Sequence, residues 1–277
     1  MTKVSDRLNR LAESATLAMA RMSRELQEQG HDIIALSLGE PDFDTPDFIK
    51  EAAKKAIDDN FSHYTPVPGL PELRTAIAQK FKRDNNLEYT ADQIVTSTGA
   101  KQSLANVCLS LLNPGDEVLL PCPYWVSYTE IIKLSEGIPV EVPSNIATDF
   151  KVTPEQLEAA ITPRTKLLMF SSPCNPSGTV YTKEELEAIA KMLEKYPNIY
   201  VIADEIYEHI NFTAAHFSMG TIASMKDRTI TVNGVSKGFA MTGWRVGFIG
   251  APLWVAKACN KIQGQITSAT CAIAQKA

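Results

Sequence analysis

The organisation of the chain turns on TITVNGVSKGFAMTGWRVGFIGA, residues 229–251. Two apolar runs, TITVNG (229–234) and VGFIGA (246–251), have the β-branched and apolar character of strands, and the loop between them holds one lysine and one arginine among small residues. Lys237 has no acidic neighbour in that loop. A lysine desolvated at a strand end is pushed toward the neutral, nucleophilic amine, which can form a Schiff base with a carbonyl. Arg245 keeps its charge in any setting, and its forked guanidinium suits a phosphate.

Outward from this stretch the same strand pattern recurs. QIVTS (93–97), DEVLLP (116–121), IPVEVP (138–143), TKLLMFSS (165–172) and IYVIADE (199–205) read as strands. Between them lie helix-period segments such as PELRTAIAQKFKRD (71–84), KQSLANVCLSLL (101–112), YWVSYTEIIKLS (124–135) and TKEELEAIAKMLEKY (182–196). The last has a capping box, Thr182 with Glu185. This alternation predicts an α/β fold, a mostly parallel seven-stranded sheet sandwiched by helices. Ligands of such sheets gather at the carboxyl ends of the strands.

Composition narrows the chemistry. With 277 residues, 44% hydrophobic and 21% charged, the chain can bury a sizeable core as one large or two smaller domains. A net charge of −5, with Lys and Arg scattered, offers no basic field for nucleic acid or an anionic membrane. Five cysteines without a CxxC pair or a histidine at ligand spacing predict a reduced, cytoplasmic protein without structural zinc. The N-terminus, charged and amphipathic, reads as an arm leading into a helix, neither signal peptide nor membrane anchor.

The residues that end the strands are polar and varied. STGAKQ (97–102) opens directly into a helix and reads either as a plain strand-to-helix turn or as a phosphate cradle of free N–H groups with the Ser97 and Thr98 hydroxyls nearby. PCPYWVSY places Tyr124 and Trp125 past a strand edge, where an aromatic is ordinarily core packing. SSPCNPSG (171–178) fixes Asn175 between prolines. In ADEIYEHI, Asp204 follows an apolar run, and a buried carboxylate there needs a cationic or N–H partner. Phosphate cradle, aromatic plate, amide, carboxylate, Tyr207, Lys237 and Arg245 together describe a pyridoxal phosphate site, in which an anion keeps the pyridine protonated and electron-withdrawing.

On SLGEPDFDTP (37–46), HYTPVPGLPELR (63–74), STGAKQ, PYW, NPSGTVY, ADEIYEHI and VSKGFAMTGWRVG, the chain resembles, over essentially its whole length, the class I aminotransferases of the aspartate aminotransferase type, particularly the bacterial branch. The resemblance implies that Lys237 carries pyridoxal 5′-phosphate as a Schiff base and, once released, shuttles the proton. It implies that Asp204 pairs with the pyridinium nitrogen, that Tyr207 and Asn175 bond the ring hydroxyl oxygen, and that Trp125 stacks on the ring. Gly99, Ala100 and Lys101 would lie along the phosphate with Arg245, and Gly39, Trp125 and Asn175 would touch the amino acid and 2-oxo acid substrates. Tyr64 would reach the phosphate of a neighbouring subunit, which implies a homodimer with shared sites. Residues 1–45 would form an N-terminal arm and the start of a small domain, and 46–277 the cofactor-binding large domain.

Two departures from the family pattern shape the expectations. Where some relatives place a phosphate-binding Ser or Thr two or three residues before the lysine, Gly234 and Val235 stand here, leaving Ser97 or Ser236 to supply the hydroxyl. Relatives continue for roughly a further hundred residues, a domain-sized piece that carries the arginine for the substrate α-carboxylate. TCAIAQKA (270–277) reads as the start of the helix joining two domains, so a C-terminal small domain is expected to be absent and no residue takes that arginine's role. Aspartate with 2-oxoglutarate is the expected substrate pair, with prephenate and aromatic or neutral donors as alternatives. A C–S lyase or cyclopropane-forming synthase would use the same lysine, and an inactive fragment that only binds cofactor is the other reading. A nicotinamide dehydrogenase is disfavoured, since no GxGxxG follows the first strand. His209 reads as a cofactor-neighbourhood or packing histidine and Cys174 as a buried spectator.

Overall fold

All seven runs read as strands form one sheet. β1 (Ile94–Ser97), β2 (Glu117–Pro121), β3 (Ile138–Val142), β4 (Thr165–Ser171), β5 (Tyr200–Asp204), β6 (Thr229–Gly234) and β7 (Gly247–Gly250) lie in the order β1-β7-β6-β5-β4-β2-β3. β7 is antiparallel to both its neighbours, and the remaining pairings are parallel. The computed structural model describes residues 3–36, 38–213 and 215–277. Met1 and Thr2 of the N-terminal arm and Ser37, the first residue of SLGEPDFDTP, lie outside the described residues.

The helices are α1 (Asp6–Asn9), α2 (Ala15–Glu28), α3 (Asp47–Asp58), α4 (Pro71–Asn85), α5 (Ala100–Leu111), α6 (Ser127–Leu134), α7 (Pro154–Ala160), α8 (Lys183–Leu193), α9 (Leu253–Ile266) and α10 (Ala272–Lys276). The capping box opens α8, with Glu185 N–H donating to Thr182 Oγ1 and Thr182 N–H donating to Glu185. α8 stops short of the predicted 196 because Pro197 disfavours helical backbone at Tyr196. α6 starts three residues later than the pattern predicts, leaving Tyr124 and Trp125 in the connection from β2. None of the described helices is long and apolar enough to cross a membrane.

Side-chain parity assigns each strand residue to a face. Val118, Leu120, Leu167, Met169, Ile202, Ile230 and Val232 pack with Leu104 and Val107 of α5, Tyr128 of α6 and Val255 of α9. Leu119, Leu168, Phe170, Val201 and Ala203 face the other way, onto Leu157 of α7 and Leu186 and Leu193 of α8. Each such side chain, removed from water on folding, contributes about 1.5–3 kcal/mol. With both faces of the central strands covered, those strands meet solvent at their ends, while the edge strand β3 is partly exposed along its length.

One polar side chain inside this apolar sandwich ties α9 to β1. Gln263 is wholly buried; its Nε2 donates to Val67 O and Thr96 O, each at 2.8 Å, and its Oε1 accepts from Ser97 Oγ at 2.7 Å and Asn106 Nδ2 at 2.9 Å. Gln263→Leu strands these partners without water. It is expected to lower the unfolding free energy by about 3 kcal/mol or more, read from urea midpoints, because each buried polar group left unpaired costs about 1–3 kcal/mol. An unchanged midpoint would show that the network contributes nothing.

Candidate active site

The carboxyl ends of β1, β2, β4, β5 and β6 meet at one edge, and there the surface opens into a cleft of about 650 Å³. Strand order reverses between β2 and β4, so their following loops diverge and leave a crevice. Tyr124 and Trp125 enter it after β2, Asn175 after β4, Tyr207 after β5, and Ser236 and Lys237 after β6. β1 contributes Ala100 and Lys101 at the start of α5, and Arg245 arrives just before β7.

Asp204 anchors the floor. It is 4% exposed; Tyr128 donates its hydroxyl to Oδ2 at 2.7 Å and the Ile206 N–H donates to Oδ1 at 3.2 Å. Among the described residues no lysine, arginine or histidine forms an ion pair with it. Burial first, and the neighbouring Glu205 charge, raise its carboxyl to about 6 against the pull of the Tyr128 and Ile206 hydrogen bonds. The Tyr207 hydroxyl is raised by burial and by Asp204, with Asn175 pulling it back. Both residues line the cleft with Asp204.

Lys237 is half-buried, with its ammonium 5.7 Å from the centre of the Tyr207 ring. It donates to the Gly39 carbonyl. Burial lowers the amine below its ordinary value; Glu40 pulls it back and Arg245 adds to the lowering. Lys101 lies 4.8 Å from the centre of the Trp125 ring, and it too is lowered by burial and by Arg245. Trp125 stands edge-on to Tyr128 at 5.7 Å.

Backbone geometry explains the small residues. Gly99 has φ +81°, open to glycine at little cost, and a Cβ there would collide with the Arg245 guanidinium. Arg245 itself has left-handed backbone and donates to the Thr242 carbonyl at 2.8 Å, which turns the guanidinium toward the free N–H groups opening α5. That combination of helix N-terminus and guanidinium is chemically suited to a phosphate.

Not every sequence expectation converges here. Ser236 lines the cleft, whereas Ser97 is committed to Gln263, so Ser236 is the hydroxyl available near Lys237. Tyr64 is fully exposed and borders a separate hollow with His63, Thr65 and Thr270. His209 packs edge-on against Phe239 and faces Glu208; Cys174 donates to the Pro123 carbonyl at 3.4 Å. Tyr128 is the residue that the sequence reading missed. Its signal was position: three residues beyond Trp125, it falls on the inward face of α6.

A cleft with a buried carboxylate lacking a cation, a half-buried amine and an anion cradle fits a cofactor that is cationic at one end and phosphorylated at the other. The model of the aminotransferase class I and II family matches residues 31–277. The aspartate/prephenate aminotransferase of Cereibacter sphaeroides is 50% identical over all of this chain and 70% of its own length. The probable aspartate/prephenate aminotransferase of Rickettsia felis is likewise 50% identical, over 68% of its length. The structure of the Thermus thermophilus aspartate aminotransferase with maleate superposes with a TM-score of 0.96 at 44% identity, covering 100% of this chain and 72% of that one. The chain belongs to the class I and II aminotransferases. It is a transaminase of the fold-type I group, and its cofactor is pyridoxal phosphate.

Proposed function

We propose that this cleft moves the amino group of aspartate to a 2-oxo acid, with 2-oxoglutarate as the acceptor, and that the residues named above divide the work as their geometry suggests. The observation that carries the reading is Asp204, a buried carboxylate at the floor of a cleft with no cationic partner among the described residues. When bound, pyridoxal phosphate supplies a protonated ring that takes up the negative charge left as an amino acid loses its Cα proton. Asp204 holds the ring nitrogen's proton, and Tyr207 with Asn175 bonds the ring hydroxyl oxygen. Arg245 with Gly99, Ala100 and Lys101 grips the phosphate. Lys237 would hold the cofactor through its amine and would move the substrate's Cα proton, a task for which a lowered amine is suited. Trp125 covers the ring, and Gly39 and Asn175 bound the substrate space.

Aspartate as donor is supported by the aspartate/prephenate aminotransferase names of the relatives. A shared-site homodimer is supported by Tyr64, fully exposed and outside the cleft of its own chain. Residues 46–277, which hold all seven strands found among the described residues, are read as the cofactor-holding domain, and 1–45 as the arm and the start of a smaller one. A cytoplasmic setting is supported by five free cysteines.

Borohydride reduction with pyridoxal phosphate, followed by peptide mapping, is expected to place the added mass on Lys237; mass on Lys101 instead would overturn the assignment. Aspartate is then expected to convert bound cofactor to its amine form and release oxaloacetate. Pyruvate, ammonia and the free thiol from a cysteine S-conjugate would favour the C–S lyase reading.

Tyr128→Phe tests the floor of the site. Without the hydroxyl the Asp204 carboxyl is expected to rise above about 6, so its charge is lost at higher pH. Cofactor affinity near neutral pH is expected to fall about tenfold, the size of one hydrogen bond to a charged group. Unchanged affinity in equilibrium dialysis would remove Tyr128 from the site.

A further inference from the structure

Behind the strand that carries Asp204 lies a second group of ionisable side chains that the proposed chemistry does not use. Glu205 follows β5 directly, its N–H still bonded to Val232 O at 2.8 Å, and its side chain meets Asn85 of α4. Its carboxylate accepts from Ser218 Oγ at 2.7 Å and Asn85 Nδ2 at 3.4 Å, and His216 Nε2 stands 2.9 Å away. Glu208 accepts from Asn85 Nδ2 at 2.5 Å and from Lys80, with His209 Nε2 at 3.2 Å. Asp84 flanks Lys80 at 3.9 Å, and Tyr89, bonded to Thr231 at 3.1 Å, lies within the influence of Glu205.

The side chains of Glu205, Glu208 and His216 are only 3%, 4% and 9% exposed. One donor atom from each lies within 4.8 Å of the others, but the Lys80 ammonium already sits on Glu208, so the group carries its own cation. Two buried carboxylates thus face one ammonium, and His216 is the group placed to balance the other. Burial pulls its imidazole down, but the hydrogen bond and charge of Glu205, helped by Glu208, outweigh it and hold the ring above its ordinary value, with Lys80 opposing. On the front of the strand, the Glu205 charge also acts on Asp204.

We propose that His216 is a positioning residue that acts on Asp204 through Glu205: its imidazolium neutralises the carboxylate behind the strand, so that the carboxylate in front keeps its charge for the cofactor's ring nitrogen. The final clause rests on the reading of Asp204 given above, whereas the coupling of the two carboxylates does not. Without the imidazolium, Glu205 is an uncompensated like charge beside Asp204, and like charges raise each other's affinity for protons.

The experiment follows aspartate carboxyl titrations by ¹³C NMR in the whole chain without cofactor, the Asp204 signal being identified by its disappearance in Asp204→Asn. His216→Asn is expected to raise the Asp204 midpoint by about one pH unit, the scale of one extra charge nearby in a protein interior. The double variant Glu205→Gln/His216→Asn is expected to bring it back. Glu205→Gln alone, nearly isosteric, is expected to lower it and keeps the test informative should His216→Asn fail to fold. An Asp204 titration unmoved in His216→Asn, equally displaced in the double variant, or not lowered by Glu205→Gln overturns the proposal. Pyridoxal phosphate affinity near neutral pH, measured by dialysis on the same proteins, is expected to weaken several-fold in His216→Asn and recover in the double variant. Shifted titrations with constant affinity would overturn the ring-nitrogen role of Asp204, and with it the last clause, while leaving the coupling in place.

Discussion

Lys237→Ala is expected to slow the aspartate half-reaction by about four orders of magnitude or more, since it removes both the covalent anchor and the proton carrier, each worth about two to four orders. The fold should survive, because Lys237 lies half-buried in a loop and, among the described residues, its side chain hydrogen-bonds only the Gly39 carbonyl. Cofactor should still bind, without covalent attachment, through Arg245 and the opening of α5. Single-turnover absorbance traces on wild type and variant, together with matching circular dichroism, check this. A variant within tenfold of wild type would mean another base takes the proton, with Lys101 the next amine in the cleft.

Asp204→Asn is expected to move activity and stability in opposite directions. Replacing a preorganised charge at the reacting ring should slow the half-reaction about a hundredfold to a thousandfold. The cofactor-free chain should gain stability at neutral pH. Burial holds the Asp204 carboxyl at about 6 against an ordinary 3.8. The folded chain therefore binds that proton more tightly than the unfolded chain. The stabilisation from this group is full below the unfolded value and is lost as pH rises through 6, so above that the charge is a net cost. The interval corresponds to roughly 3 kcal/mol, an upper figure for what the neutral amide recovers. Melting curves of the cofactor-free proteins at pH 5 and pH 8 check it. The variant's advantage should be full at pH 8 and about half as large at pH 5. A variant less stable at pH 8 would show that the Tyr128 and Ile206 hydrogen bonds need the anion more than the burial resists it.

The same residues mark how far sequence reaches. Each strand was legible because its hydrophobic run is bounded by turn residues, and the edges shifted only where local chemistry intervened, as Pro197 does after α8. Lys237, Arg245 and Asp204 were legible because a charge at the end of an apolar run stands out. Tyr128 did not stand out, since an aromatic on an apolar helix face is the ordinary content of a core. Its importance comes from α6 carrying the hydroxyl to a carboxylate 76 residues away. Likewise the partner that engages the Ser97 hydroxyl, Gln263, lies 166 residues beyond it in the chain. His216 and Glu205 meet across a turn whose path no periodicity describes.

Lys237 and Arg245 sit on a single loop whose two ends are clamped together. Gly234 pairs with Gly247, and Val235 N–H bonds Val246 O at 3.3 Å. A side chain on Gly247 would drive into the backbone of Ala100. The span from amine to guanidinium is therefore a fixed gauge, held by the sheet whatever else in the molecule shifts. The segment of residues 39–45 reaches this loop by Lys237 to the Gly39 carbonyl, by Thr242 to Glu40 at 2.8 Å and by Thr45 to the Ala240 carbonyl at 2.7 Å. These are single side-chain bonds, each worth about 0.5–1.5 kcal/mol, so one wall of the cleft is tethered where the other is clamped.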